Sequence, residues 1–125
     1  MKIYDEGILM SHLELEIAKS ERFGYPFSLV AIRTMDKRNN TMALLNAILK
    51  ANFRKTDLIA KNNEGVIILL LNGTTNDDAH IYLNRLITKA VSGAEIPIIA
   101  GITSYELGDT TKLILERLAK KIMEN

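Results

Sequence analysis

An arginine and an aspartate stand three residues apart in Arg54-Lys55-Thr56-Asp57, directly after a run of apolar residues at helical spacing. A guanidinium offers a planar fork of N–H donors and a carboxylate offers only acceptors. Such a pair either recognises a polar ligand or holds itself. In the second case it is a local ion pair worth about 0.2–0.5 kcal/mol at the surface. Arg33, Lys37 and Arg38 form a second concentration of charge, readable as a small basic lip or as a solvated loop, and Asp36 among them reads as a loop residue in water. The other reactive types are dispersed. His12 and His80 fall in different helical segments with no second ligand four residues away, so no metal site is expected. Ser11, Ser28 and Ser104 have neither a nearby histidine nor a nucleophile elbow. Asp77 and Asp78 suit the positive end of a helix dipole better than a cation. Tyr4, Tyr25, Tyr82 and Tyr105 are scattered and form no stacking platform. No cofactor is implied.

Composition narrows the classes further. The 125 residues fit one domain, 1–125, with 47% hydrophobic and 25% charged residues, both globular values. Sixteen basic and fifteen acidic residues leave a net charge of +1, without the basic footprint of a nucleic-acid binder. The absence of cysteine excludes a disulfide framework. The longest apolar run, Val66–Leu71, is too short to span a bilayer, and Met1–Gly7 carries charge with no apolar signal core after it. The expectation is a soluble cytoplasmic domain without direct membrane insertion; whether it is part of a longer protein stays open.

The elements that must position these residues are legible in outline. Gly7–Phe23 repeats apolar residues at Ile8, Leu9, Leu13, Ile17 and Ala18, opposite Glu14, Glu16, Lys19, Glu21 and Arg22. Gly24 closes that helix and Pro26 prevents its resumption. Phe27–Thr34 reads as a central strand, and Thr41–Phe53 as a helix with Met42, Leu44, Leu45, Ile48 and Leu49 inward. Leu58–Lys61 and Val66–Leu71 are strands joined by Asn62-Asn63-Glu64-Gly65, a hairpin signal. A third helix is expected from about Asn76 to Val91. Ile96–Thr103 reads as the last strand, begun or placed at an edge by Pro97, and Thr110–Met123 as a closing helix with Leu113, Ile114, Leu118 and Ile122 inward. The fold class is therefore α+β. It is a βαββαβ core of the ferredoxin-like kind flanked by helices, with an extra N-terminal helix.

Two segments in this order resemble the GGDEF domains, the diguanylate cyclase family. Glu14–Ile32, ELEIAKSERFGYPFSLVAI, is similar to the family's E-L-x-R-A-x-R-x-G-x-P-L-S-L-L, with Glu16, Arg22, Gly24, Pro26, Ser28 and Leu29 in step. Arg54, Asp57, Lys61, Leu70, Leu71, Thr74 and Ala79 meet R-x-x-D-x-x-x-R-x-G-G-D-E-F-x-x-L-L-P-x-T and the helix after it without a gap. The resemblance covers most of the chain and implies a nucleotide-cyclase-type sheet in a bacterial cyclic di-GMP signalling protein. In that register, however, the signature positions are Asn63, Glu64, Gly65, Val66 and Ile67. They lack the glycine pair that lets phosphates approach and the acidic pair that holds metal ions. Arg33 occupies the place of the family's first metal-binding aspartate, and a cation there repels magnesium. The F-K-x-x-N-D-x-x-G-H-x-x-G-D segment and an L-T-G-L-x-N-R stretch have no counterpart in these residues.

What the resemblance implies is thus a degenerate, catalytically inactive domain with a regulatory role and no catalytic residues. The family's inhibitory product site carries R-x-x-D five residues before the signature, the spacing kept here by Arg54 and Asp57, and the carry-over adds Arg85 from the next helix. Arginine can fork onto phosphate oxygens or guanine O6 and N7, while aspartate accepts from guanine N1 and N2. Two readings stay open. The domain is a cyclic di-GMP receptor through Arg54, Asp57 and Arg85, or a nucleotide-independent module pairing with itself, with a GGDEF-type protein or with another signalling partner.

Overall fold

The computed structural model describes residues 2–123. In chain order it contains β1 (Ile3–Tyr4), α1 (Glu6–Phe23), β2 (Phe27–Arg33), α2 (Asn39–Ala51), β3 (Leu58–Lys61), β4 (Ile67–Asn72) and α3 (Asn76–Ile87). A π-helical turn (Thr88–Gly93), β5 (Ile99–Ser104) and α4 (Thr111–Met123) follow. The five strands form one sheet in the order β1-β3-β4-β2-β5. Within β3-β4-β2-β5 every adjacent pair is antiparallel, and this is the strand order of the expected βαββαβ core.

Alternation along β2 decides which helix covers which face. Phe27, Leu29 and Ala31 point toward α1 and α4; Val30 and Ile32 point toward α2 and α3. With both faces covered, β2 and β4 have no solvated side, and this is why Val66–Leu71 is continuously apolar and Phe27–Ile32 is broken only by Ser28, whose buried hydroxyl donates to the Thr74 carbonyl. Local chemistry sets the corners. Gly24 takes φ +72° and donates its N–H to the Ser20 carbonyl, ending α1. At the hairpin tip the Asn62 side chain accepts from the backbone N–H of Glu64 and of Val66, both at 2.9 Å, and Gly65 supplies φ +79°.

Several expected details are corrected. β1, which two residues cannot announce by periodicity, pairs in parallel with Ile59 and Ala60 at the edge beside β3. The β2 strand is interior as expected, paired on both sides between β4 and β5. β5 starts at Ile99, later than Ile96, because Pro97 has no N–H to donate. The buried stripes of the helices are narrower than the apolar spacing suggests. Ile8 is 40% exposed and Leu44 and Leu113 are each 49% exposed, while Ala18 is also exposed. Glu16, expected on the polar face of α1, is buried and accepts from Lys19 at 2.9 Å.

The sheet separates two regions. The loop carrying Arg54 and Asp57 enters β3 at the end where Phe27 pairs with Asn72. The hairpin tip and Arg33 lie at the other end, about 20 Å away along the six residues of β4. Among the described residues no helix is long and apolar enough to cross a membrane.

Candidate functional site

The first region is built by a tight turn after α2. The Asp57 N–H donates to the Arg54 carbonyl at 3.0 Å, which folds the two side chains onto each other. Arg54 Nε then donates to Asp57 Oδ2 at 2.8 Å, and Arg54 Nη2 donates to Thr74 Oγ1 at 2.9 Å. Thr74 is fixed in turn by donating to the Asn72 carbonyl at 2.9 Å. The Arg54 guanidinium lies 5.9 Å from the centre of the Tyr82 ring on α3, within cation–π range. Tyr82 is not idle, as the sequence suggested; it forms one wall of the site and donates its hydroxyl to the Asn52 carbonyl at 3.2 Å. Burial, with the Asp57 charge adding to it, pushes the Tyr82 phenol up to about 12, and the Arg54 charge partly opposes that shift.

Burial is uneven across the pair. The Asp57 side chain is 1% exposed whereas that of Arg54 is 48% exposed. Asp57 Oδ1 and the neighbouring Asn72 Oδ1 are buried without a hydrogen-bond partner among the described residues. A buried carboxylate oxygen with no donor is costly, and a donor that reached it through a local opening of the turn would relieve that cost. Arg54 uses two of its five N–H donors on Asp57 and Thr74.

Arg85 is exposed and makes no hydrogen bond or ion pair with Arg54 or Asp57. It stands three residues after Tyr82 and four before Lys89, and therefore on the same face of the helical segment. Both of those neighbours reach Asn52, Lys89 through Nζ to Asn52 Oδ1 at 2.8 Å. The structure thus joins Arg54 to Asp57 and sets Arg85 on the adjoining rim. Asn52, Asn72, Thr74 and Tyr82 are site neighbours that the sequence did not single out. The R-x-x-D spacing carries no record of segments up to 28 residues away.

The second region is the hairpin end. Arg33 projects to the face covered by α1 and α4, where a cavity of about 320 Å³ is lined by Glu6, Leu9, Asn62, Glu64 and Leu118 among others. Lys37 Nζ lies close to Gly65. Arg38 is not a free cation in a basic lip. It grips Asp36 through Nε at 3.0 Å and Nη2 at 2.7 Å, and the Thr41 hydroxyl donates to the same carboxylate at 2.8 Å. Asp36 is consequently held well below the usual carboxylate range by the Arg38 guanidinium, the Arg38 N–H and Thr41, and is no simple solvated residue. Glu64 is exposed in its turn. Among the described residues no group of three His, Asp or Glu side chains could hold a metal ion.

A third concavity, about 850 Å³, runs along β5 past His80, Ser104 and Arg117. Several of its polar groups are occupied, although the buried Tyr105 hydroxyl has no partner among the described residues. Arg117 bonds Asp109 at 2.6 Å, Thr103 Oγ1 at 2.6 Å and the Ser104 carbonyl at 2.9 Å. Ser104 Oγ lies 2.7 Å from Ser28 Oγ, and Asn76 Nδ2 donates to it at 3.2 Å; His80 bonds neither serine, so no base stands against a nucleophile.

The fold has counterparts among solved structures. No family model and no curated protein matches the sequence. Among solved structures, the chain is similar to the GGDEF domain of DgcB from Caulobacter crescentus in complex with c-di-GMP. The TM-score is 0.86 at 9% identity, covering 98% of this chain and 82% of that one. The fold is the GGDEF fold. The active GGEEF domain of a diguanylate cyclase from Vibrio cholerae is similar at TM-score 0.85 and 14% identity, over 98% of this chain and 90% of that one. The diguanylate cyclase SiaD from Pseudomonas aeruginosa, in complex with its activator SiaC, gives TM-score 0.80 at 17% identity. The match spans 96% of this chain and 54% of SiaD. On this GGDEF frame the R-x-x-D turn and the Asn63–Ile67 hairpin occupy opposite ends of one sheet.

Proposed function

We propose that this GGDEF-fold chain is a catalytically silent regulatory domain that binds cyclic di-GMP through Arg54, Asp57 and Arg85, with Tyr82 as a supporting wall. One observation carries the reading: the half-exposed Arg54 guanidinium is held in place by a buried Asp57 carboxylate whose Oδ1 has no hydrogen-bond partner among the described residues. A guanine edge offers acceptors to the N–H groups of Arg54 not used on Asp57 and Thr74, and its own N–H donors match Asp57 Oδ1 once the turn opens enough to admit them. Arg85 on the rim adds charge toward a phosphate. Catalytic silence is supported by the hairpin residues Asn63, Glu64, Gly65, Val66 and Ile67, which supply neither an acidic metal ligand pair nor a glycine pair, and by Arg33 beside them.

The second reading is a module that associates with a protein and takes no nucleotide. It is favoured by the engagement of Arg54, which Asp57 and Thr74 already bond. Association of a GGDEF-fold protein with a protein has a parallel in SiaD and its activator SiaC.

Calorimetric titration of cyclic di-GMP into the wild-type chain, Arg85→Ala and Asp57→Asn separates the two. Saturable binding, weakened about tenfold or more in each variant, is expected of the receptor. Absence of heat with the wild type, together with concentration-dependent self-association or partner capture unchanged by both substitutions, sinks the receptor reading.

A further inference from the structure

We propose that the cavity between α1 and α4 binds a small amphipathic monoanion, a carboxylate carrying an apolar tail. Its volume of about 320 Å³ lies at the lower end of the range of small-molecule sites. The body is apolar: Leu9 from α1, Val66 and Ile68 near and on β4, and Leu118 and Ile122 from α4. Met10, 38% exposed at the mouth, is a flexible side chain able to adjust to an occupant.

One end of this apolar space holds a cation. Arg33 is the last residue of β2, and the alternation that sends Phe27, Leu29 and Ala31 toward α1 and α4 sends Arg33 there as well. Its Nε is buried and has no hydrogen-bond partner among the described residues, and no ion pair reaches its guanidinium. A guanidinium without a counter-ion beside apolar walls is unfavourable, and a ligand carboxylate entering from the cavity would bond its partly exposed N–H groups. Glu6 and Glu64 also line the cavity, with Glu6 Oε1 held by the Asn63 N–H at 3.2 Å. Two carboxylates near one arginine repel a polyphosphate or a phosphate dianion more than a single negative charge. Glu6 is engaged by the Asn63 N–H and Glu64 is exposed to solvent, so of the anions a fatty or aromatic carboxylate, with a single charge, meets the least repulsion. This occupant is separate from the ligand assigned to Arg54 and Asp57, at the opposite end of the sheet.

The test is an NMR titration of the full chain with octanoate, monitored by backbone amide shifts, beside 1-octanol and octyl phosphate. Saturable octanoate shifts at Arg33, Ile68 and Leu118, with octanol weaker by about tenfold or more, support the assignment. Arg33→Met, which keeps an apolar stem of similar reach, is expected to erase that preference for octanoate over octanol. Ala119→Phe, at the cavity wall, is expected to block both ligands. Failure to saturate at millimolar octanoate overturns the proposal. Equal binding of octanol and octanoate overturns the role of Arg33, and tighter binding of octyl phosphate overturns the monoanion preference. The comparison of the three ligands uses wild-type protein, so it decides the matter even if Arg33→Met does not fold.

Discussion

Removal of the Arg54 guanidinium is the perturbation that tests the candidate site most directly in the free protein. In Arg54→Met the apolar stem stays, while the 2.8 Å bond to Asp57, the 2.9 Å bond to Thr74 and the contact over Tyr82 are lost. Asp57, with 1% of its side chain exposed, is left with no cation beside it. Breaking a fully buried pair from one side costs about 3–5 kcal/mol, whereas exposed pairs are worth about 0.2–1 kcal/mol. Arg54 is 48% exposed, so solvent screens its half of the interaction and the expected loss lies between these limits, about 2 kcal/mol. Asp57→Asn leaves a half-exposed arginine able to turn to water, and about 1 kcal/mol is expected. The double variant Arg54→Met/Asp57→Asn no longer buries a lone charge, so it should be less destabilised than the sum by about 1–2 kcal/mol. Urea unfolding followed by circular dichroism, with a common slope for all four proteins, reads these values. If Arg54→Met falls within about 0.5 kcal/mol of wild type and the cycle shows no coupling, water reaches Asp57 and the case for a poised, buried acceptor is refuted. The same experiment guards the ligand titration, since an Arg54 variant that is partly unfolded would lose binding for the wrong reason.

Two further outcomes are expected. Gly101 on β5 faces α4 so closely that an added Cβ would sit 2.6 Å from Lys121 Cβ, so Gly101→Ala should lose about 1–3 kcal/mol by chemical denaturation; an unchanged urea midpoint would mean that α4 does not seat on β5 as described. Asp109 is held below the ordinary carboxylate range, chiefly by its hydrogen bond to Arg117, so its folded value is depressed and the stability it confers is present above the unfolded value of about 3.9 and lost as pH falls through the folded one. The gap in unfolding free energy between wild type and Asp109→Asn should therefore be full at pH 7 and close below about pH 4, and a gap that widens on acidification would reverse the assigned sign.

The residues alone determined the frame. The apolar run Val66–Leu71 and the nearly apolar Phe27–Ile32 required strands covered on both faces, Gly24 and Pro26 ended the first helix, and Asn62 with Gly65 turned the hairpin. These are local matters of side-chain period, hydrogen-bonding capacity and allowed φ, which a short window of sequence contains. The pairing of Arg54 with Asp57 was legible for the same reason, because a three-residue separation lets one turn bring them together. Tertiary structure decided everything that depends on a second segment. It added β1, buried Asp57 beside Thr74 and Tyr82, turned Tyr82 from a scattered aromatic into a wall, and left Arg85 on a rim outside contact with Arg54. It also placed α4 opposite Arg33, converting a strand-end cation into the polar end of an apolar cavity. Periodicity states which side of an element is apolar; only packing states what lies against it, and burial, charge compensation and ligand access all follow from that second fact.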